Sequence, residues 1–211
     1  MDVKNDYFLL KIKNKIKTAF KLNTQKITMI GILLALTTLV SLLEIPTFFV
    51  SFLKLDFGNT INLMAVLIIG LPYSLLIAMI VPWLKLAAGG ELIGDLAYMI
   101  STITFLLLYC SLQLLFHQLL FSKIKPTNAW KPFLLVELLT AIITCILQSL
   151  LNTFFNWAFI LDLYSMGYLK NQIWVVFLPF NCFKFSLVLS LYLVLLRPVK
   201  VLLKNINYLP Y

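Results

Sequence analysis

Charged residues are scarce in this chain of 211 residues: they make up 12% of it, and only eight are acidic. Hydrophobic residues make up 62%, and the mean hydropathy is +0.98. Soluble domains contain roughly 45–50% apolar residues, and a chain of this length could not bury so many more away from water. The composition therefore excludes a soluble globular domain and predicts an integral membrane protein.

Residues that build disulfides, metal sites and catalytic sites are also few. The chain has one histidine, His117, and three dispersed cysteines, each inside an apolar run: Cys110, Cys145 and Cys182. Such thiols indicate buried apolar packing rather than a disulfide framework, and a lone histidine does not make a metal site. We find no phosphate-binding glycine loop, nucleophile elbow or His-Glu-x-x-His motif. The sequence predicts a non-catalytic protein without metal or cofactor, which cannot hydrolyse ATP by itself.

Six apolar runs follow one another, at residues 27–45, 61–69, 73–88, 92–121, 133–161 and 173–196. A helix needs about 20 apolar residues to span a bilayer, and the second and third runs are short and interrupted by Gly70, Pro72 and Pro82. In transporters, interrupted spans expose backbone groups to a solute, although a proline can also be a simple kink. We predict an all-α membrane protein whose six transmembrane helices form a compact bundle over residues 27–197.

The basic residues are clustered. Thirteen of the seventeen lie in three segments, at residues 4–26, 123–131 and 197–204. Six spans place all three segments on one side of the membrane, as the positive-inside rule requires. We therefore predict a basic cytoplasmic N-terminal segment (1–26), a cytoplasmic C-terminal tail (198–211) and outer loops at 47–59, 89–95 and 162–172. No aromatic residues alternate with the lysines, so we do not expect nucleic acid as a partner.

A few polar residues lie where a span should be apolar. An ionisable or amide side chain in hydrocarbon costs about 2–3 kcal/mol even on lenient insertion scales, so such residues face the protein interior or a solute. Asn152 and Asn156 lie one helical turn apart, and Asn181 and Lys184 share a face of the last run. With Asp95 at the outer end of the fourth run, they would line an outward-facing pocket if these helices meet.

Aromatic residues accompany these polar positions: Trp157, Tyr98 and Phe180. A pocket of this kind fits a flat, polar, heteroaromatic metabolite, because rings stack on aromatic side chains while amides pair with ring carbonyls and nitrogens. The alternative for Asn152 and Asn156 is that they only form hydrogen bonds between helices.

Small residues in the first run, Gly31 and Ala35, lie four apart on one face. They either allow another helix to approach closely or reflect the abundance of Gly and Ala in membrane helices.

Four motifs along the chain are informative together. Residues 44–46 read Glu-Ile-Pro, residues 52–57 read Phe-Leu-Lys-Leu-Asp-Phe, residues 94–98 read Gly-Asp-Leu-Ala-Tyr, and residues 179–184 read Pro-Phe-Asn-Cys-Phe-Lys. With them, the chain from about Gly31 to Arg197 resembles the substrate-binding (S) components of energy-coupling factor (ECF) vitamin transporters, and most closely the riboflavin-specific group. It departs from that group's pattern at Gly58 (Ser in the group) and Tyr98 (Asn), and the third-helix lysine is displaced to Lys85.

The resemblance implies a non-catalytic S component in the plasma membrane of a prokaryote, which binds riboflavin from outside as transported ligand. Asn156, Asn181 and Lys184 would contact the vitamin, and the first loop would cover it with four predicted site residues: Leu53, Lys54, Asp56 and Phe57. The implied partners are a transmembrane coupling subunit, which would contact Gly31 and Ala35, and two cytoplasmic ATPases.

Other functions stay open from the sequence. Within the family, the ligand could instead be another vitamin or precursor, such as folate, pantothenate or hydroxymethylpyrimidine. Outside it, the chain could be a membrane enzyme or a scaffold without transport, although no catalytic motif supports an enzyme. A secondary carrier would show inverted repeats, and none is evident.

Overall fold

The computed structural model describes residues 22–46, 53–121 and 130–205. These residues form six long helices: α1 (Thr24–Leu42), α2 (Gly58–Ile69), α3 (Leu71–Ala87), α4 (Leu92–Phe121), α5 (Trp130–Phe155) and α6 (Leu178–Asn205). Four described stretches are long and apolar enough to cross a membrane: Thr24–Leu42, Leu92–Leu119, Phe133–Leu163 and Gly167–Leu203. Helices α2 and α3 are shorter, with 12 and 17 residues. The prediction of a helical bundle is confirmed, whereas the count of six spans and the side of the termini stay predictions.

The first helix and the loop after it differ from the predicted bounds. Helix α1 begins at Thr24 because Asn23 caps it: the Asn23 Oδ1 accepts a hydrogen bond from the backbone N–H of Lys26 at 2.8 Å. The helix ends at Leu42, so Glu44 lies outside it, whereas the predicted run reached residue 45. Helix α2 begins at Gly58, so the prediction of a loop up to residue 59 was wrong at its end. Residues 47–52 of that loop lie outside the described part.

Of the two alternatives for Pro82, a break in the third run or a proline tolerated within a helix, the structure shows the second. Helix α3 continues through Pro82, whose ring is buried inside the bundle. A proline removes one backbone hydrogen bond, which neighbouring helices can tolerate in a membrane bundle. The real break lies between α2 and α3, where Gly70 has φ 93°, a conformation that favours glycine. Pro72 then lies in the first turn of α3, where its missing N–H has no partner to lose.

The fifth and sixth helices are joined through irregular turns. After Phe155, the chain forms a π-helical turn (Asn156–Ile160) and one α-helical turn (Leu161–Leu163), and a 3₁₀ helix (Gly167–Gln172) and a second π-helical turn (Ile173–Phe177) lead into α6. Such turns widen a helix locally and are frequent at functional sites. Helix α6 extends to Asn205, so the start of the predicted tail is helical. The predicted domain bounds 1–26, 27–197 and 198–211 stay predictions.

Aromatic and aliphatic side chains fill the centre of the bundle. Phe105 of α4 stacks on Phe185 of α6 with ring centroids 5.4 Å apart, and Tyr109 meets Tyr192 edge to face at 5.5 Å. Many large apolar side chains point outward instead, such as Val194, which is 71% exposed. A surface of this kind suits contact with lipid rather than water.

A buried carboxylate joins α4, α5 and α6. Glu137 of α5 is wholly buried. Its carboxylate accepts a hydrogen bond from the Tyr109 hydroxyl and a second from Gln113 Nε2 at 2.7 Å, and the Tyr192 hydroxyl lies 3.5 Å away. Because a buried acid is tolerated only when its oxygens are satisfied, these three donors explain why Glu137 can lie inside the bundle.

We predict that Glu137→Ala lowers the thermal unfolding temperature of the purified protein. It leaves the donors of Tyr109, Gln113 and Tyr192 without an acceptor, and each buried unsatisfied group costs about 1–3 kcal/mol. Glu137→Gln should be milder because its amide oxygen still accepts one hydrogen bond. The control is Ile146→Ala on the exposed side of α5. Equal unfolding temperatures for Glu137→Ala and Ile146→Ala would contradict the prediction.

Candidate ligand-binding cavity

A cavity of about 330 Å³ lies at one end of the bundle. At this end α1, α3 and α5 finish and α4 and α6 begin, so residues far apart in sequence converge there. Seven of the eight predicted binding residues line the cavity: Leu53, Lys54, Asp56, Asp95, Asn156, Asn181 and Lys184. The structure thus brings together residues from the first loop, from α4 and α6, and from the π-helical turn after α5.

Two aromatic residues expected near the ligand lie elsewhere. Phe57 does not line the cavity, because the backbone turns into α2 at this residue and Phe57 precedes its first turn. Trp157 follows Asn156 in the π-helical turn, so its side chain leaves the helix in another direction; it is 44% exposed and lies against Lys170 at 5.8 Å. Among the described residues, the aromatic ones that line the cavity are Tyr98, Tyr164 and Phe180.

An ion pair fastens the first loop to α6. The Lys184 ammonium lies 2.9 Å from Asp56 Oδ2, and both side chains are nearly buried, with 11% and 6% of their surface exposed. The other carboxylate oxygen, Asp56 Oδ1, accepts a hydrogen bond from the backbone N–H of Gly58 at 3.2 Å. Asp56 therefore connects the loop, the start of α2 and the cavity wall on α6.

A second group of charges lies around Glu44. Its two carboxylate oxygens pair separately with Lys54 at 2.6 Å and with Lys85 at 2.8 Å. Lys85 also lies 3.3 Å from Asp95 and 4.8 Å from the centre of the Tyr98 ring. Burial alone would raise the pKa of the Glu44 carboxyl, but the hydrogen bonds and charges of the two lysines outweigh it and lower that pKa.

A short strand pair sets the position of the loop. Strand β1 (Ile45–Pro46) pairs antiparallel with β2 (Lys54–Leu55), with Ile45 opposite Leu55. This pairing brings Lys54 back to the end of α1, where it reaches Glu44. Leu53 and Leu55, on either side of Lys54 along the chain, are buried against an apolar cluster from the turns between α5 and α6 and from the start of α6. The described part of the loop is thus held by backbone pairing, ion pairs and apolar contact together.

The three asparagines behave differently. Asn152 Nδ2 donates to Asn181 Oδ1 at 2.8 Å, and Asn181 Nδ2 donates to Thr153 Oγ1 at 2.9 Å. For Asn152 both alternatives apply, because it makes an interhelical hydrogen bond and also lines the cavity. Asn156 makes no such hydrogen bond within the described part of the chain, so its amide is available to a ligand. Asn156 also opens the π-helical turn.

Two of the three departures from the riboflavin-specific pattern, Gly58 and Tyr98, lie next to each other in the structure. A methyl group on Gly58 would lie 2.6 Å from the Tyr98 hydroxyl and 2.9 Å from the Cβ of Ser41. Tyr98 therefore occupies the room that a side chain at position 58 would need. Because Tyr98 also lines the cavity, the glycine allows an aromatic ring to form part of its wall.

Sequence reasoning missed several residues of the cavity wall. Glu44 and Lys85 appear in the sequence comparison above but are not among the predicted site residues. A lysine inside the third apolar run is itself a signal of a functional or paired position. Ser101, Glu91 and Tyr164 also line the cavity and carried no pattern that singled them out.

The small residues of α1 lie on its outer face. Gly31 and Ala35 are both exposed, and a methyl group on Gly31 would meet nothing within 4 Å. The contact of these residues with a coupling subunit stays a prediction.

We predict that Lys184→Ala lowers stability strongly. Removing one partner of a buried ion pair leaves the other charge uncompensated, which costs about 3–5 kcal/mol. The double variant Lys184→Ala/Asp56→Asn should recover much of the loss because it removes that charge and keeps the acceptor for Gly58. Thermal unfolding measures both. No recovery in the double variant would show that Lys184 stabilises the protein in another way.

We also predict that Gly58→Ala destabilises the protein by about 1–3 kcal/mol, the usual cost of overpacking. Adding Tyr98→Phe should restore part of this loss, because it removes the hydroxyl nearest to the new methyl group. Gly31→Ala is the matched control, since its methyl group finds open space. Chemical or thermal unfolding checks the series, and an effect of Gly58→Ala no larger than that of Gly31→Ala would refute the steric account.

Comparisons with known proteins identify the family of the chain. The family model described as ECF transporter, substrate-specific component, matches residues 25–196. The chain is also similar to a solved structure reported as "Structure and mechanism of the S component of a bacterial ECF transporter", with 22% identity over 85% of this chain and 98% of that one and a TM-score of 0.62. That likeness shows a shared fold, and no curated protein matches. Since the family model covers most of the chain, the protein belongs to the substrate-specific components of ECF transporters.

Proposed function

We propose that this substrate-specific component captures riboflavin in the cavity beneath its first loop and presents it for ATP-driven uptake. The observation that carries the proposal is the convergence of the loop residues with Asn156, Asn181 and Lys184 around one cavity. These residues come from segments up to about 130 positions apart in the sequence. Their convergence supports the site residues that the resemblance to riboflavin-specific members implies.

The cavity suits the chemistry of a flavin. Its volume of about 330 Å³ lies in the range of roughly 300–1,000 Å³ that is usual for small-molecule sites. Tyr98 and Phe180 offer faces or edges to a flat ring system. The Asn156 amide and the Lys184 ammonium can form hydrogen bonds with ring carbonyls and nitrogens. The polar residues of α4 that line the cavity can form hydrogen bonds with a hydroxylated chain. Riboflavin has all three of these features and no net charge.

The distribution of basic residues supports capture from outside. The three basic segments lie before α1, between α4 and α5, and at the end of α6. The cavity lies at the opposite end of these helices. If the basic segments face the cytoplasm, the cavity opens to the outer side of the plasma membrane of a prokaryote.

ATP-driven uptake by this component would need partner subunits. The sequence contains no nucleotide-binding motif, so ATP hydrolysis would belong to two partner ATPases. A transmembrane coupling subunit would pack against α1, where Gly31 and Ala35 form a small-residue face that allows close approach of another helix.

Riboflavin binding can be tested on the purified protein. Protein from flavin-containing cells should carry a yellow ligand, and the emptied protein should quench the fluorescence of added riboflavin on titration. A colourless preparation that fails to bind added riboflavin would overturn the flavin assignment and leave the family intact; folate, pantothenate and hydroxymethylpyrimidine would then be titrated in turn.

We predict that Asn156→Ala weakens riboflavin binding at least tenfold, about 1.4 kcal/mol. This position tests the site sharply, because the Asn156 amide has no structural hydrogen bond to lose and stability should change little. Asp162→Asn is the control: Asp162 pairs with Lys170 at 2.7 Å and does not line the cavity. Equal affinity of Asn156→Ala and Asp162→Asn would exclude Asn156 from the site.

A further inference from the structure

Every lysine that lines the cavity is already neutralised. Lys54 and Lys85 pair with Glu44, Lys85 also pairs with Asp95, and Lys184 pairs with Asp56. Glu91 adds one more carboxylate to the wall. The described lining therefore holds three ammonium groups and four carboxylates. The loop residues outside the described part, 47–52, contain no charged side chain.

Glu44 pairs with two of these lysines at once. It uses one carboxylate oxygen for Lys54 of the loop and the other for Lys85 of α3. Lys85 is nearly buried, with 5% of its side chain exposed, whereas Lys54 is half exposed at the mouth of the cavity. A single acidic side chain thus neutralises a cation at the mouth and another in the wall.

We propose that Glu44 is a specificity-determining residue that makes the cavity accept uncharged ligands and reject anionic ones. The inference rests on the proposed function in one respect only, namely that the transported ligand occupies this cavity. It assigns to the site a ligand class: neutral vitamins, as opposed to compounds that carry a carboxylate or a phosphate.

The physical reason is the absence of a free cation along the described wall. An anion that enters must either remain beside carboxylates without compensation or displace one of them from its lysine. Both carry a penalty, because like charges repel and a displaced carboxylate in a partly buried site loses its partner. A neutral ligand avoids both penalties. Specificity then comes from an element that repels the wrong ligand.

Two substitutions separate this role from a structural one. Glu44→Gln and Lys54→Gln both break the Glu44–Lys54 ion pair, so any structural consequence of losing that pair should be shared, although Glu44→Gln also breaks the pair with Lys85. Their effects on charge are opposite: Glu44→Gln leaves Lys54 without a carboxylate and weakens the neutralisation of Lys85, whereas Lys54→Gln removes a cation. Only Glu44→Gln should therefore open the cavity to anions.

The first experiment compares two ligands that differ by one phosphate. Riboflavin and riboflavin 5′-phosphate are titrated into the wild type and both variants at low salt. The wild type should bind riboflavin at least tenfold more tightly, about 1.4 kcal/mol. Glu44→Gln should reduce that preference at least tenfold, mainly by improved binding of the phosphate, and Lys54→Gln should not reduce it. A wild type that binds riboflavin and its phosphate equally tightly, or equal changes of the preference in the two variants, would overturn the proposal.

The second experiment does not depend on the identity of the vitamin. Inorganic phosphate is added at low salt while thermal unfolding is followed. It should stabilise Glu44→Gln more than the wild type or Lys54→Gln, and added chloride should reverse the effect. The absence of such a gain would overturn the charge proposal. If phosphate stabilises Glu44→Gln and riboflavin still does not bind, then the flavin assignment fails and the role of Glu44 stands.

Discussion

The structure depends on one constraint, which is that a charge held inside a membrane bundle needs a partner. Lys184 lies in the last apolar helix, where an unpaired ammonium would be costly. Its partner, Asp56, is supplied by the first loop. Together with the strand pairing and the Glu44–Lys54 ion pair, this pair holds the described end of the loop at the wall of the cavity. The same need applies to Lys85, which takes its partners from the end of α1 and from α4.

These pairs prepare the cavity before any ligand arrives. The four lysines outside the three basic segments are all ion-paired at the cavity end of the bundle: Lys54, Lys85, Lys170 and Lys184. Polar groups that hold one another in place need little reordering when a ligand binds, which favours affinity. The π-helical turn at Asn156 adds an amide that makes no side-chain hydrogen bond to the described residues, so the site combines fixed charges with available hydrogen-bonding groups.

Much of this architecture could be predicted from the sequence because membrane helices correspond to long apolar runs of residues. Residues 92–121 form α4 as predicted, and four predicted site residues that line the cavity are polar groups of such runs, which have few other places to lie: Asp95, Asn156, Asn181 and Lys184. The three loop residues that also line it, Leu53, Lys54 and Asp56, are implied only by the resemblance of the loop motif. The role of Glu44 could not be predicted, because its partner Lys85 is 41 positions away and only the packing of α1 on α3 joins them. The direction of the Trp157 side chain could not be predicted either, because a π-helical turn changes the angular position of the residues within and after it.

The most direct test of the account is to locate the ligand on the protein by hydrogen–deuterium exchange, with and without saturating riboflavin. We expect protection of backbone amides in residues 53–60, at the start of α4, and where α5 and α6 meet. The opposite end of the bundle, around Glu137 and Arg197, should exchange as before. Protection confined to that opposite end, or no protection of residues 53–60 at saturation, would contradict the claim that the ligand is held beneath the first loop.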